Sequence, residues 1–384
     1  MPSTRSAQRQ PLRSVGRTRA LSARPRRIAV LGAGGFVGSH LVPRLAAQEG
    51  AEIVAVDRNL DKLERDLAGV RRIEADIAEP GLLDEVTAHA EAVVSLTALC
   101  NPALYNTRPL DVIDASFGDL VPLVKLCAAR GRWLMHLSTC EVYGRIALDS
   151  RGRPMARMVE DDTALCLGPV ERERWTYAAA KQLLERVIWA HGQHADLRFT
   201  IVRPFNVIGP RMDFIPGVDG EGIPRVLACF MHALMTGAPL QLVDGGRARR
   251  SFLDVAEFVT ALDRALDRPE AAQGEIFNLG NPRNDVTIRA LARALAAAYR
   301  KLRPNGPTPR LETVAAETFY GRGYDDSEVR IPSVTKAARR LGWRPRRSLR
   351  EMLPAIVADY LARYEDQLSR PQLPARAAGG RGGL

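Results

Sequence analysis

The chain has 384 residues, 46% of them hydrophobic and 26% charged, which is enough to bury a sizeable core in one large or two interleaved domains. A formal net charge of +11 invites a nucleic-acid reading, but residues 1–27 hold eight arginines and no acid, residues 369–384 hold three arginines and no acid, and the body between them is neutral. The basicity therefore belongs to the ends: no nucleic-acid partner is expected, and no membrane either, because no stretch approaches the roughly 20 apolar residues of a span.

Both ends are rich in Arg, Ser, Pro, Ala or Gly without apolar periodicity, so residues 1–25 and 367–384 are expected to be disordered tails. The acid-free start also resembles an organellar transit peptide, and an extended start fits it equally well. Five cysteines, at 100, 127, 140, 166 and 229, make an odd set with no framework spacing and no CxxC pattern, which predicts a reducing, cytoplasmic setting and no metal site.

Residues 26–31 read as a buried strand, followed by Gly32, Gly35 and Gly38 in the spacing GxxGxxG, with Phe36 and Val37 between them, and then a helix over 39–48. Such a turn lets the backbone approach a pyrophosphate while a helix N-terminus faces it. A second strand over 51–56 ends at Asp57, nineteen residues beyond Gly38. An acid there hydrogen-bonds the adenosine ribose and repels a 2′-phosphate, which favours NAD over NADP although Arg58 follows directly. A third strand over 70–77 carries Asp76 and Ile77, which would flank the adenine or, equally well, form a solvated strand end.

A fourth strand over 92–96 ends at Leu96 and leads to Cys100 and Tyr105. The apolar run 133–137 ends in Ser138, Thr139, Cys140 and Glu141. Ligands of open α/β sheets bind beyond the carboxyl ends of the strands, so a hydroxyl, a thiol and a carboxylate here would face a bound molecule. An ordinary strand-to-loop transition is the bland alternative. Cys100 and Cys140 are expected on the same sheet edge, across the site from each other, and the remaining cysteines as inert fillers.

Residues 111–130 and 177–194 read as long helices. On the second, Tyr177 and Lys181 are four apart and share a face. A phenol with a pKa of about 10 is a poor base, and a neighbouring ammonium is expected to favour the phenolate. After a strand over 199–202 and Asn206 the strand–helix rhythm stops. A loop over 211–217, a helix over 222–235 bearing Arg225 and a turn over 244–250 follow. Arginines 211, 225, 247, 249, 250 and 330 suit a second anionic ligand such as a diphosphate, with two or three of the six as its ligands.

The pattern predicts an α/β fold, a Rossmann-type doubly wound parallel sheet with a smaller α+β substrate domain. Residues 26–210, completed by 251–285, would bind the dinucleotide, and 211–250 with 286–366 the substrate. Together these motifs resemble the extended short-chain dehydrogenase/reductase family over residues 26–366. By that resemblance Gly32, Gly35 and Gly38 bind the pyrophosphate, Thr139, Tyr177 and Lys181 form the catalytic trio, and the helices 111–130 and 177–194 pair with their copies in a homodimer.

Within the family, Thr-Cys-Glu-Val-Tyr-Gly from Thr139, Arg-Trp-Thr-Tyr from Arg174, Arg-Pro-Phe-Asn from Arg203, the run 319–326 and Arg330-Ile331-Pro332 are similar to the branch that decarboxylates UDP-glucuronate. Cys100 with Cys140 and the runs 106–111 and 211–217 are similar to the UDP-apiose/UDP-xylose synthases. Val207, where those relatives have Trp, leaves the shape of the sugar pocket open.

The resemblance implies NAD-dependent decarboxylation of UDP-glucuronate through a UDP-4-keto-pentose, with ring contraction to UDP-apiose alongside UDP-xylose. Tyr177 would take the C4 hydroxyl proton, Thr139 would support that hydroxyl, and Arg174 and Arg330 would hold the keto oxygen or the carboxylate. Glu141 would manage protons, and Cys100, Cys140 and Glu141 would serve the branching route. Tyr105, Asn206, Arg225, Arg250, Tyr324 and Arg330 would bind the nucleotide sugar. A plain UDP-xylose synthase, a decarboxylase that releases the 4-keto-pentose and NADH, a 4-epimerase and an inactive NAD-binding scaffold stay open.

Overall fold

The computed structural model of the chain describes residues 23–149, 151–220, 223–320, 325–327 and 329–368. Seven strands, β1 (Arg27–Leu31), β2 (Glu52–Asp57), β3 (Val70–Glu74), β4 (Ala92–Ser95), β5 (Trp133–Leu137), β6 (Arg198–Pro204) and β7 (Glu275–Leu279), form one parallel sheet in the order β7-β6-β5-β4-β1-β2-β3. Strand order reverses between β1 and β4, which opens a crevice beyond their carboxyl ends.

The strands are nearly continuous apolar runs because both sheet faces are covered. In β1 the alternation of side chains sends Ile28 and Val30 into one core and Ala29 and Leu31 into the other. A third apolar cluster, built on Leu227, Phe230, Met231, Leu295 and Tyr360, lies outside the sheet. Phe36, from the glycine turn, packs against both this cluster and the first core, so the turn sits where the two meet.

The helices that frame the site are α1 (Gly38–Ala46), α2 (Pro109–Ser116), α3 (Val121–Ala129), α4 (Thr176–His194), α5 (Val226–Thr236) and α6 (Leu349–Leu368). The helix expected over 111–130 is thus two helices joined by a single 3₁₀ turn, Gly118–Leu120. Phe117 leaves the helical region (φ −140°, ψ −62°), and Pro122, lacking an N–H, starts a new helix rather than continuing the old one.

Other boundaries move as well. β3 stops at Glu74, short of Asp76 and Ile77. The helix expected from residue 222 begins at Val226, after Arg225 in an extended conformation (φ −67°, ψ 158°). Residues 23–25, expected in the N-terminal tail, belong to the folded body: the Arg24 guanidinium donates to Asp263 at 2.7 Å. α6 runs to Leu368, two residues into the expected C-terminal tail, while 1–22 and 369–384 lie outside the described residues.

A small three-stranded sheet completes the frame. Its central strand Arg249–Ser251 pairs antiparallel with Asp285–Thr287 and parallel with Val329–Arg330, which puts Arg330 in register with Arg250 although eighty positions separate them in the chain.

Candidate active site

One cavity of about 1100 Å³ runs along the carboxyl edge of the sheet and is lined by Phe36, Leu96, Cys100, Tyr177, Arg250 and Arg330, among others. The glycine turn forms one end of it. Gly32 takes φ +85°, a conformation that favours a residue without a Cβ. A Cβ on Gly38 would meet the Gly32 carbonyl oxygen at 2.3 Å, so this glycine permits close packing of the helix on the turn. On Gly35, which is exposed, a Cβ would lie 3.3 Å from the Gly32 carbonyl oxygen, a tight contact that a small shift relieves.

Gly34, which sequence reasoning passed over because it falls outside the three-residue spacing, is the tightest of the four: its Cβ would lie 1.7 Å from the Asn59 carbonyl oxygen. Asp57 explains the approach, since its Oδ2 accepts from the Gly34 N–H at 3.0 Å and so ties the end of β2 to the turn. Gly34→Ala is therefore expected to cost about 1–3 kcal/mol, the usual range for overpacking, seen as a lower denaturation midpoint. Gly35→Ala, whose Cβ meets only one backbone oxygen and at 3.3 Å, should lower that midpoint much less.

The turn, Asp57 and two orphaned hydroxyls fit a dinucleotide. Thr97 and Ser138, just beyond β4 and β5, bury hydroxyl oxygens that have no hydrogen-bond partner among the described residues. Burial without a partner costs free energy that a polar ligand recovers. Val37 and Leu96 line the same cavity. Asp76 and Ile77 follow the end of β3. Asp76 accepts from the Ala78 N–H at 3.0 Å and pairs with Arg58 at 3.7 Å, and Ile77 is buried in the core.

Beyond β5, Thr139 caps the 3₁₀ turn Cys140–Tyr143 by accepting from the Glu141 N–H at 3.2 Å. α4 brings Tyr177 and Lys181 to the same edge. The Tyr177 hydroxyl lies 3.4 Å from the Cys100 sulfur, and its ring stacks on Tyr105, with centroids 5.1 Å apart and planes 12° from parallel. Lys181 Nζ donates to the Leu137 carbonyl at 3.1 Å and approaches His136 Nε2 at 3.5 Å.

This geometry corrects the expected electrostatics. Burial pushes the Tyr177 phenol well above its ordinary range, with Cys100 and Tyr105 adding to the effect. The same burial brings the Lys181 ammonium down to about 8. Desolvation penalises the charged form of both groups and is the largest cause of each shift.

The strongest electrostatic feature is a buried cluster of three arginines and two carboxylates. Arg174 donates both amino groups to Glu141, at 2.5 and 2.9 Å, and reaches Asp326 at 3.3 Å. Arg330 pairs with Glu141 at 3.1 Å and with Asp326, and Arg250 donates to Asp326 at 2.7 Å.

Burial raises the Glu141 carboxyl, but Arg174 and then Arg330 outweigh it and hold the group below its usual range. Asp326 is likewise desolvated, and Arg330, Arg250 and Arg174 hold it far below a normal carboxylate. Glu141 is thus held as a carboxylate by two guanidinium groups, and Arg174 and Arg330 are both engaged by acids. The cluster carries one net positive charge in the cavity wall. Asp326 was missed as a site residue because its role appears only when the small sheet brings Arg250 beside Arg330.

Cys140 is buried next to this cluster. Burial raises its thiol, with Arg330 partly opposing, so it is protonated at neutral pH. Cys100 and Cys140 line the same cavity, as expected, with Cys100 at the phenol and Cys140 at the arginines.

Of the other expected sugar ligands, Tyr105 is enclosed between Tyr177 and Arg174, whose guanidinium carbon lies 5.3 Å from the Tyr105 ring centre. Asn206 takes φ +35° and donates to the Ser251 carbonyl at 3.2 Å. Arg225 lies in the cavity wall but is held by Asp213 at 2.7 Å. Arg211 is turned away, bonded to the Lys62 carbonyl and to His40. Arg247 and Arg249 line the cavity, Arg249 paired with Asp285 at 2.5 Å. Val207 is buried in the wall, and Tyr324 lies outside the described residues.

A family model described as "NAD dependent epimerase/dehydratase family" matches residues 28–280. The chain is 41% identical to the UDP-D-apiose/UDP-D-xylose synthase of Oryza sativa subsp. japonica, covering 92% of this chain and 94% of that protein. It is 42% identical to UDP-D-apiose/UDP-D-xylose synthase 2 of Arabidopsis thaliana, covering 90% and 94%. Among solved structures, the PbgP3 protein of Burkholderia pseudomallei superposes with a TM-score of 0.76 at 29% identity, over 89% of this chain and 98% of that one.

Proposed function

This chain belongs to the NAD dependent epimerase/dehydratase family, and we propose that it decarboxylates UDP-glucuronate and forms UDP-apiose together with UDP-xylose by way of a UDP-4-keto-pentose. The glycine turn and Asp57 would hold NAD, with Tyr177 and Lys181 at its reactive end. When bound, NAD supplies a positively charged hydride acceptor that takes a hydride from the sugar and later returns it.

In this reading Tyr177, as the phenolate that the positive charge of bound NAD would favour, takes the proton of the C4 hydroxyl as that carbon is oxidised, and Thr139 supports the same oxygen. The product is a β-keto acid. Breaking its C5–carboxyl bond sends an electron pair toward the C4 oxygen, and the net positive arginine cluster favours that developing charge. Its two carboxylates hold the three guanidinium groups in place, so little reorganisation is needed when the charge appears.

Protonation of C5 gives the 4-keto-pentose from which both products come, and reduction of its C4 carbonyl gives UDP-xylose. For UDP-apiose, a base takes the C2 hydroxyl proton, the C2–C3 bond breaks, and the pair it releases forms an enediolate over C3 and C4. Closure joins C4 to the C2 aldehyde, protons return to the C2 and C4 oxygens, C3 is left as an aldehyde branch after its hydroxyl proton is lost, and that branch is reduced.

The observation that carries the apiose reading is the placement of two thiols at opposite ends of the reacting region, Cys100 at 3.4 Å from the Tyr177 hydroxyl and Cys140 beside Arg330. Cys140, a protonated thiol, suits the proton-returning steps. Cys140→Ser is expected to spare decarboxylation and to shift output from UDP-apiose toward UDP-xylose or free 4-keto-pentose, with Cys100→Ser behaving similarly. An unchanged product ratio in both variants would defeat this role.

The chain is also proposed to work as a homodimer. α2 and α4 pack together and leave Leu110 72% and Leu183 49% exposed, an apolar surface that a second copy would cover. Sedimentation as a monomer at micromolar concentration would contradict this. Five free thiols accord with the reducing, cytoplasmic setting we propose. We further propose the division into a dinucleotide-binding part, 26–210 with 251–285, and a sugar-binding part, 211–250 with 286–366. β7 lies within the former and the cluster around Phe230 largely within the latter.

A further inference from the structure

His136 lies in the middle of the sheet, in β5, with no counterpart among the residues that the chemistry above employs. It is 1% exposed, and the ammonium of Lys181, itself 0% exposed, approaches its Nε2 at 3.5 Å. An ammonium has three N–H donors and no lone pair, so the ring nitrogen that faces it must accept. That requirement fixes the imidazole as neutral, with its proton on Nδ1.

We propose that His136 is a positioning residue for the reaction: as the neutral Nδ1-protonated tautomer it accepts a hydrogen bond from Lys181 through Nε2 and fixes the direction of that ammonium.

Three further observations support the assignment. Among the described residues the other acceptor of Lys181 is the Leu137 carbonyl at 3.1 Å, and one backbone oxygen does not satisfy the three N–H donors of a fully buried ammonium. The charged or titratable groups that face Lys181 from neighbouring elements are Cys100, beyond β4, and Glu185, one turn further along α4. Glu185 is committed to Arg203, at 2.6 and 3.0 Å, so it does not replace the missing acceptor. Burial, with Lys181 beside it, also keeps the His136 imidazole well below its ordinary range, so it stays neutral across the working pH span. A ring that could charge would repel the ammonium; one that cannot serves as a fixed acceptor.

The inference rests on Lys181 serving the reaction proposed above, and two measurements separate the two. The first needs no activity. In protein labelled with ¹⁵N at the histidine rings, and assigned by comparison with His136→Gln, His136 should appear as the neutral Nδ1–H tautomer at neutral pH. An imidazolium, or the Nε2–H tautomer, would overturn the proposal whether or not UDP-glucuronate is turned over.

The second measurement is the pH profile of kcat/KM in His136→Phe, which keeps a ring but removes the acceptor, and in His136→Gln, whose amide oxygen can reach the Nε2 position. Loss of an acceptor makes the charged lysine harder to maintain, so the alkaline limb should move to lower pH in the Phe variant. Its plateau should fall about tenfold, the effect of one hydrogen bond to a charged group, and the Gln variant should recover most of both. Wild-type limbs in His136→Phe, or equal losses in Phe and Gln with unmoved limbs, would overturn it. If His136→Phe does not fold, the tautomer measurement still decides.

Discussion

Replacing Tyr177 with phenylalanine is expected to abolish detectable turnover while leaving the fold and nucleotide binding nearly intact. Removing the hydroxyl removes the group proposed to take the sugar proton, and general acid–base catalysis is worth about 10²–10⁴ in rate. Little else should change. The ring keeps its stacked contact with Tyr105, and Lys181 keeps its acceptors, because neither of its polar contacts is to the phenol. Cofactor and UDP-sugar affinities measured by titration should therefore stay close to those of the unmodified protein. Full activity in this variant would remove the short-chain dehydrogenase mechanism altogether.

Asp326→Asn should bring the largest loss of stability. Asp326 touches all three arginines of the cluster, and the amide would leave Glu141, which pairs with Arg174 and Arg330, as the cluster's remaining carboxylate. Breaking a buried ion pair from one side costs about 3–5 kcal/mol, because the remaining charges stay desolvated.

A pH dependence accompanies this. Asp326 and Glu141 are both held below their ordinary carboxyl values in the folded chain. The unfolded chain therefore takes up protons first as pH falls. The stability they contribute is complete above the unfolded carboxyl range, near about 4, and is lost as pH falls toward the folded values. The unmodified protein should lose denaturation free energy below about pH 4–5, and Asp326→Asn should start lower and lose less over the same span. An Asn variant with the unmodified midpoint and an identical acid slope would mean that the cluster contributes nothing to stability.

Much of this architecture was legible in the chain. β1, β4 and β5 stand out as apolar runs because both sheet faces are covered, and a strand–glycine turn–helix order locates the dinucleotide end. Thr139, Cys100 and Cys140 could be placed on one sheet edge from the rule that parallel strands end together, and Tyr177 from its helical spacing to Lys181.

What was not legible depends on contacts between distant segments. Asp326 looks like any surface acid until Arg249–Ser251 pairs with Val329–Arg330. Gly34 looks dispensable until Asn59 is folded over it. The direction of the Tyr177 shift was misjudged because four-residue spacing reports that two side chains share a helix face, not how deeply water is excluded from them. The break at Phe117 was passed over because Pro122 is tolerated in a first helical turn, and helical composition on both sides masks the kink.

The most direct test of the account is an NMR analysis of the products formed when the full-length protein is incubated with UDP-glucuronate and a catalytic amount of NAD. The account predicts carbon dioxide release and the appearance of both UDP-apiose and UDP-xylose, with no net accumulation of NADH, because the hydride taken from C4 is returned. Release of UDP-4-keto-pentose with one NADH per carbon dioxide, or conversion to the C4 epimer without carbon dioxide, would contradict it.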